Sequence, residues 1–191
     1  NNMFCCNATA SRTSPLLAQT VEHGHNPVLY SQYTRTFGSA TLVEVRGGGI
    51  YIRDNFTPYS DDFATPGRSD QGTGFNSVNG TTATKQFHNR TTIDASLAHS
   101  TSGFGKGTHD FKVGVQTARA TQRSVTARFS GVSYTDLSGA PYRATFSEPA
   151  VTGGRIRSAG AYLQDTWTLN DALTLNLGVR FDRTAGDIPE L

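Results

Sequence analysis

A run of strictly alternating apolar and polar residues near the end of the chain limits its fold more than any other feature. The apolar members of residues 173–182 are Leu173, Leu175, Leu177, Val179 and Phe181, and they alternate with Thr174, Asn176, Gly178, Arg180 and Asp182. Because successive side chains of a strand point to opposite faces, a period of two over about ten residues predicts a β-strand. Such a strand suits a soluble sheet that covers a core, or a membrane barrel with lipid on one face and a wet lumen on the other.

This strand is the second arm of a hairpin with a recognisable sequence. The first arm contains Tyr162-Leu163-Gln164-Asp165-Thr166-Trp167, and the turn is Asn170-Asp171-Ala172. The hairpin resembles one in the TonB-dependent outer-membrane receptors, where a Y-x-Q-D-x-W strand turns into an L-x-L-N-x-G-x-R-x-D strand. Two further segments, His109-Asp110-Phe111-Lys112-Val113-Gly114 and Arg46-Gly47-Gly48-Gly49-Ile50, are similar to barrel strands of the large receptors that carry an N-terminal carboxypeptidase-regulatory-like domain.

The resemblance implies a receptor that takes up a small ligand through the outer membrane of a Gram-negative bacterium. In that family the outer loops capture the ligand, a plug inside the barrel gates it, and a TonB complex in the inner membrane supplies the energy. No plug, TonB-contacting segment or signal peptide is recognisable in residues 1–191, so we expect the chain to be part of the barrel domain only. The expected partners are outer-membrane lipid, the remaining strands and plug of the full-length protein, and the TonB complex.

Composition and charge agree with a barrel wall and exclude little else. The 191 residues are 36% hydrophobic and include 20 glycines, which is a poor supply for a soluble core but suits strands that are half exposed to water. No stretch approaches the ~20 apolar residues of a transmembrane helix. The net charge of +2 and the scattered basic residues give no indication of nucleic-acid binding.

The order of strands and connections predicts an all-β fold, an antiparallel up-and-down transmembrane β-barrel fragment. Six strands are expected, at residues 28–36, 41–53, 86–98, 109–121, 159–169 and 173–182. Short connections at 37–40, 101–108 and 170–172 alternate with long polar ones at 54–84 and 122–154, and the second of these has possible strand extensions at 124–134 and 142–148. Residues 1–26 show no period and are predicted to be a loop. Six strands are fewer than the eight of the smallest membrane barrels, so the predicted sheet is an arc with two open edges.

We find no motif for catalysis, a cofactor or a metal. The adjacent Cys5 and Cys6 are interpreted as incidental thiols, because neighbouring cysteines form a strained ring and no further ligands are near. The pair His23 and His25 lacks an evident third ligand. Asp61, Asp62 and Asp70 do not have the spacing of an EF-hand, and the glycine-rich segment 103–107 lacks the Ser or Thr and the helix of a phosphate loop. The protein is therefore predicted not to be an enzyme.

Several side chains have an expected place in the wall. Arg180, Asp182, Lys112 and Gln116 are predicted to face the lumen as hydrogen-bonded lining. Aromatic residues near strand ends are predicted to form the interfacial girdles, namely Tyr30, Tyr33, Phe37, Tyr51, Phe56, Tyr59 and Trp167. Asp165 shares the face of Leu163 and Trp167, which requires either a bulge or a position at the periplasmic rim.

Two other functions fit the same pattern. A passive porin, or another barrel without a plug, would have the same wall. A secreted β-sandwich that acts as a binding or adhesin module would place the apolar faces in a soluble core, and would fold in buffer without detergent.

Overall fold

The computed structural model describes residues 12–188, and β-strands dominate them. The strands are β1 (Thr20–His25), β2 (Val28–Phe37), β3 (Thr41–Pro58), β4 (Arg68–Asp70), β5 (Asn76–Ser77), β6 (Thr82–Thr101), β7 (Thr108–Arg128), β8 (Val132–Leu137), β9 (Ala140–Phe146), β10 (Ala150–Asn170) and β11 (Leu173–Asp187). Two single turns of 3-10 helix accompany them, Leu16–Ala18 and Phe129–Gly131. Within the described residues, no helix is long and apolar enough to cross a membrane.

Seven of these strands form one antiparallel sheet. Its order is β1-β3-β6-β7-β10-β11, and β2 also pairs with β3. The ladders are long and regular; a register shift in the β10–β11 pair occurs only near the turn, between Thr168 and Asn170. This regularity follows from the alternating sequence, because a slip of one residue would move every apolar side chain to the polar face.

The structure confirms the six predicted strands and the up-and-down order, and it lengthens the strands. The short connections lie at one end of the sheet and the long ones at the other. The long connections span residues 59–81 and 129–149, and are therefore shorter than predicted. The predicted boundaries were wrong because backbone pairing continues past the point where the apolar–polar alternation ends.

The prediction that residues 1–26 are a loop was wrong in part. Thr20–His25 forms β1, which pairs with the end of β3 from Arg53 to Pro58. Val21 is the one apolar side chain of this strand, so its sequence shows no apolar–polar alternation, and the turn at Asn26 and Pro27 separates it from β2. Cys5 and Cys6 lie outside the described residues.

The two long connections form a second, smaller sheet with the order β5-β4-β8-β9. Its central pair is parallel and places Arg68 opposite Tyr134 and Asp70 opposite Asp136. Strand extensions had been predicted at 124–134 and 142–148. The structure extends β7 only to Arg128. β8 pairs with β9 on one side and with β4 on the other, and neither joins the main sheet. Parallel contact between distant loops has no signature in either loop's own sequence.

The described residues contain almost no hydrophobic core. The only buried hydrophobic side chains among them are Ala18 and Phe129. By contrast, Val179 and Phe181 in β11 are each 71% exposed, and Ile93 in the middle of the sheet is 52% exposed. Hydrophobic burial within residues 12–188 therefore cannot be what stabilises the main sheet, and its apolar side chains require apolar surroundings from elsewhere.

Candidate functional site

The two faces of the main sheet are chemically different. Residues directly opposite each other in an antiparallel pair share a face, so the register carries the alternation of β11 across the sheet. We call the side that bears Leu175, Leu177, Val179 and Phe181 the apolar face, and the side that bears Asn176, Arg180 and Asp182 the polar face. The apolar face continues through the neighbouring strands in the exposed side chains of Leu163, Val113, Val115, Leu97, Ile93, Val45 and Tyr33.

The polar face carries a hydrogen-bonded group around Arg180. The guanidinium donates to both carboxylate oxygens of Asp182 at 2.7 Å and to the side-chain oxygen of Gln116 at 2.8 Å. The ring of Tyr162 lies 6.0 Å from the guanidinium. The predicted placement of Arg180, Asp182 and Gln116 on one face, joined by mutual hydrogen bonds, is confirmed. Lys112 lies on the same face, opposite Gln164.

A glycine opposite Tyr162 joins the two segments that resemble receptor strands. Gly114 pairs with Tyr162, and a Cβ built on Gly114 would lie 2.5 Å from the end of the tyrosine ring. The ring therefore lies across the backbone of β7, where only a residue without a side chain leaves room. Gly114, the last residue of the segment that begins at His109, and Tyr162, the tyrosine of Y-x-Q-D-x-W, thus form one contact.

The glycines of β3 likewise leave room for groups that lie close to the backbone. A Cβ on Gly48 would lie 2.7 Å from the carbonyl oxygen of Leu29, and one on Gly49 would lie 2.9 Å from the hydroxyl of Tyr51.

The apolar face contains one polar pair, His109 and Asp165. The imidazole Nδ1 lies 2.7 Å from Asp165 Oδ2, and His109 is only 5% exposed. The ring of His109 stacks between Trp167, at 5.1 Å, and Phe111, at 5.3 Å. Phe104 contacts His109 edge to face at 5.4 Å. The aromatic rings cover the pair, so an acid and an imidazole can lie on an apolar face.

The sequence allowed two explanations for Asp165 on the apolar face, a bulge in the strand or a position at the rim, and the structure distinguishes them. The β10 register is regular from Arg155 to Thr168, so no bulge intervenes. Asp165 lies near the end of the sheet that carries the short connections, and the indole of Trp167 donates to the carbonyl of Lys106 in one of them, at 2.7 Å. The position at the rim is therefore the one observed. Segment 103–107 is a turn between β6 and β7, as predicted.

The predicted aromatic girdle is confirmed in part. Phe37 and Trp167 lie on the apolar face next to the short connections, and Tyr51 lies on it towards the long ones. Tyr33 is also on the apolar face, but it lies four residues from the end of β2, in the row of Val45 and Ala95, and so in the middle of the apolar band and not in a girdle. The register places Tyr30 and Phe56 on the polar face, where Tyr30 donates to Gln32 at 3.0 Å. Those two residues do not belong to a girdle; nearness to a strand end does not specify the face.

The polar face also has an apolar hollow that sequence reasoning missed. Ile50, Ile52 and Ile156 line a cavity of about 550 Å³ near the long connections. The glycine run before Ile50 interrupts the alternation, so the face of the two isoleucines of β3 could not be assigned from the sequence. The regular pairing of β3 with β6 through this run was the missing information.

Ionic contacts hold the small sheet together. The guanidinium of Arg68 donates to both carboxylate oxygens of Asp136, and the bond from Nη2 to Oδ1 is 2.7 Å long. These hydrogen bonds hold the pKa of the Asp136 carboxyl below the ordinary value. Burial alone would raise the pKa of Asp70, but backbone N–H groups of both connections donate to its carboxylate and lower the pKa below the ordinary value. These donors are in residues 72, 73, 138 and 139. Each acid therefore ties one long connection to the other.

The acids and histidines considered from the sequence do not form a metal-binding cluster in the described part of the chain. Asp62 accepts hydrogen bonds from Thr65 and from the backbone of Ala64, which lower its pKa, and it belongs to the loop. His23 and His25 lie on the same side of β1, opposite Asn55 and Arg53. Within residues 12–188, no three His, Cys, Asp or Glu side chains lie close enough together to hold a metal ion.

Comparison with known proteins supplies the family. None of the curated proteins and none of the solved structures compared with the chain gives a match. A family model described as an outer membrane beta barrel domain matches residues 6–187, and this range contains every strand described above. A coreless antiparallel sheet with one apolar and one polar face is the structure that such a match requires. The chain belongs to the family of outer membrane beta-barrel domains.

Proposed function

We propose that the chain is part of the wall of a TonB-dependent receptor, which takes up a small ligand across the outer membrane of a Gram-negative bacterium. The observation that carries the proposal is the way the resembling segments meet. Gly114 of one segment contacts Tyr162 of the other on the polar face, and His109 contacts Asp165 and Trp167 on the apolar face. The residues that define the family patterns are thus mutual neighbours, which supports a common origin for the patterns rather than chance matches.

The open sheet supports the second part of the proposal, that further strands complete the barrel. In the described residues, β11 pairs on one side only, with β10. An unpaired strand edge in lipid costs several kcal/mol for each unsatisfied backbone group. Strands from the rest of a larger barrel would satisfy this edge. The role proposed for the chain is structural support for transport, without catalysis and without a bound cofactor.

The test uses the full-length protein that contains this chain, reconstituted into lipid vesicles. Two quantities are measured: vesicle swelling in arabinose, which reports an open pore, and binding of the purified periplasmic domain of TonB, by titration calorimetry. A gated receptor leaves the vesicles closed and binds the TonB domain.

Swelling without TonB binding would replace the proposal with a passive porin. A protein that stays in buffer and does not insert into vesicles would replace it with a secreted binding module. The measurement thus separates the three functions that share the strand pattern.

A further inference from the structure

A band of cations crosses the apolar face on the side of the long connections, beyond the apolar row formed by Ala95, Val115, Ala161 and Phe181. We call it the basic belt. Its members, all exposed, are Arg53, Lys85, Arg119, Arg123, Arg157 and Arg183. The belt crosses five neighbouring strands from β3 to β11, so it is a continuous feature of the wall rather than a property of one loop.

The register brings members of the basic belt close together. Arg157 of β10 lies directly opposite Arg119 of β7. Phe87 of β6 separates Arg123 from Arg53 in one row, and the guanidinium of Arg53 lies 5.5 Å from the phenyl ring. Like charges directly opposite each other destabilise a sheet unless a counterion lies between them.

The same stretch of the face offers almost no acid to neutralise these charges. The strand acids on the apolar face, in the part of the chain that the structure describes, are Asp165 and Asp187. Asp165 is bonded to His109 at the opposite rim, and Asp187 lies 3.8 Å from Arg155, a further arginine on this face. None of the six members of the belt belongs to an ion pair within residues 12–188. The counterion must therefore come from outside this part of the chain.

The height of the belt indicates where that counterion would be. Arg119, Arg157 and Arg183 lie roughly 10–13 residues beyond the short connections, which is roughly 26–34 Å along the barrel axis for strands tilted by about 40°. The hydrocarbon layer is about 25–30 Å thick. Since long connections face the exterior in these barrels, Arg119, Arg157 and Arg183 lie at the level of the headgroups of the outer leaflet. Arg123 and Lys85, roughly 15–16 residues beyond the short connections, lie farther out, on the exterior side of these three.

We propose that the basic belt binds the phosphate groups of lipids in the outer leaflet. The guanidinium group presents a planar fork of donors that matches the oxygens of a phosphate, and a phosphate between Arg119 and Arg157 would satisfy both. A row of such sites would hold a ring of phosphorylated lipids against this side of the barrel. The inference rests on the barrel fold and its orientation, and does not depend on TonB or on the transported ligand.

The test measures lipid binding by the full-length protein in detergent micelles, with native mass spectrometry as the readout. The probes are diphosphoryl lipid A and the same lipid after removal of both phosphates. The central variant is Arg119→Gln, and Arg119→Lys retains the charge without the fork. The matched control is Arg90→Gln, because Arg90 is an exposed arginine opposite Ala120, at the same height but on the polar face. Heat-dependent gel mobility verifies that each variant is folded.

We expect Arg119→Gln to weaken binding of diphosphoryl lipid A about fivefold, and the combination of Arg119→Gln, Arg157→Gln and Arg183→Gln to weaken it about 100-fold. Arg119→Lys should lose less affinity for diphosphoryl lipid A than Arg119→Gln does. Arg90→Gln should bind this lipid like the unaltered protein. The dephosphorylated lipid should bind equally weakly to the unaltered protein and to every variant. Because the single variants change one exposed side chain, they provide the answer even if the triple variant fails to fold.

The proposal would be overturned if Arg119→Gln and Arg90→Gln lost the same amount of affinity for diphosphoryl lipid A. It would also be overturned if the unaltered protein bound the phosphorylated and dephosphorylated lipids equally well. Full displacement of the lipid by millimolar inorganic phosphate would also overturn it, because the belt would then be a general anion site rather than a lipid site.

Discussion

A charge placed on the apolar face should destabilise the protein far more than the same charge on the polar face one residue away. Leu97 of β6 lies between Val43 and Val113 on the apolar face, whereas the adjacent Ser96 lies opposite Glu44 on the polar face. The two positions have the same depth, since they are neighbours on one strand. Leu97→Arg and Ser96→Arg therefore form a matched pair that differs only in face.

The expected magnitude follows from the depth of Leu97. This residue lies four positions before Thr101, at the end of β6. Four residues at about 3.4 Å, tilted by about 40°, place it roughly 10 Å above the rim, close to the middle of a hydrocarbon layer of about 25 Å. An arginine facing lipid near the midplane costs about 2–4 kcal/mol. In Ser96→Arg the charge enters the water-filled side beside a carboxylate, and the cost should be below about 1 kcal/mol.

The assay is reversible unfolding of the full-length protein in lipid vesicles by guanidinium chloride, followed by the change in tryptophan fluorescence. The difference in free energy of unfolding between each variant and the unaltered protein is the quantity compared. If both variants lost the same free energy of unfolding, or if Ser96→Arg lost more, the face that carries Leu97 could not be the one that contacts lipid.

Three further predictions concern contacts within the wall and the small sheet. Gly114→Ala should cost about 1–3 kcal/mol of unfolding free energy by displacing the ring of Tyr162, and in a Tyr162→Ala background it should cost much less, which a double-mutant cycle would show. His109→Phe should cost about 1–3 kcal/mol by leaving Asp165 without its partner, and adding Asp165→Leu should restore most of the loss; no recovery in equilibrium unfolding would contradict this. The carboxylate of Asp70 has a lowered pKa in the folded protein, so its contribution to the small sheet is present above the ordinary aspartate pKa of about 3.9 and is lost as the pH falls below it. Amide exchange in the long connections, corrected for intrinsic rates, should accelerate in that acidic range. Asp70→Asn should reduce the pH dependence, and the part that remains comes from Asp62 and Asp136, whose pKa values are also lowered.

The sequence was sufficient for the parts of the wall in which the two faces have different surroundings. In β11 every second residue is apolar, and the predicted assignment of Leu177 and Arg180 to opposite faces is confirmed by the register. The group around Arg180 was predictable for the same reason, because Gln116 and Asp182 share its phase. Contacts between distant segments were not predictable. The parallel pairing that joins Arg68 to Asp136 depends on two loops meeting in space, and neither loop has a periodic pattern.

Asp165 shows why the apolar–polar pattern of a sequence cannot explain a polar residue on an apolar face. Alternation indicated the face correctly, but the reason that an acid is tolerated there lies in another strand. His109 supplies the hydrogen bond, and Trp167 and Phe111 cover both groups. Such a cluster becomes visible only when the register is known, since its members are up to about 60 residues apart in the chain.

The strands extend past their predicted boundaries because they are longer than the hydrocarbon layer of the membrane. Strands β7 and β10 have 21 residues each, which is roughly 50 Å along the axis at a tilt of about 40°, whereas a hydrocarbon layer accounts for about 25–30 Å. The excess lies on the side of the long connections, from the basic belt outwards. There both faces of the sheet contact water, so no force selects apolar residues for alternate positions, and the sequence becomes rich in Thr, Ser, Gln and Arg. Backbone pairing needs no such selection and continues, and the protruding wall supports the small sheet that the two long connections form. The alternation in this sequence therefore reports the thickness of the membrane rather than the length of the strands.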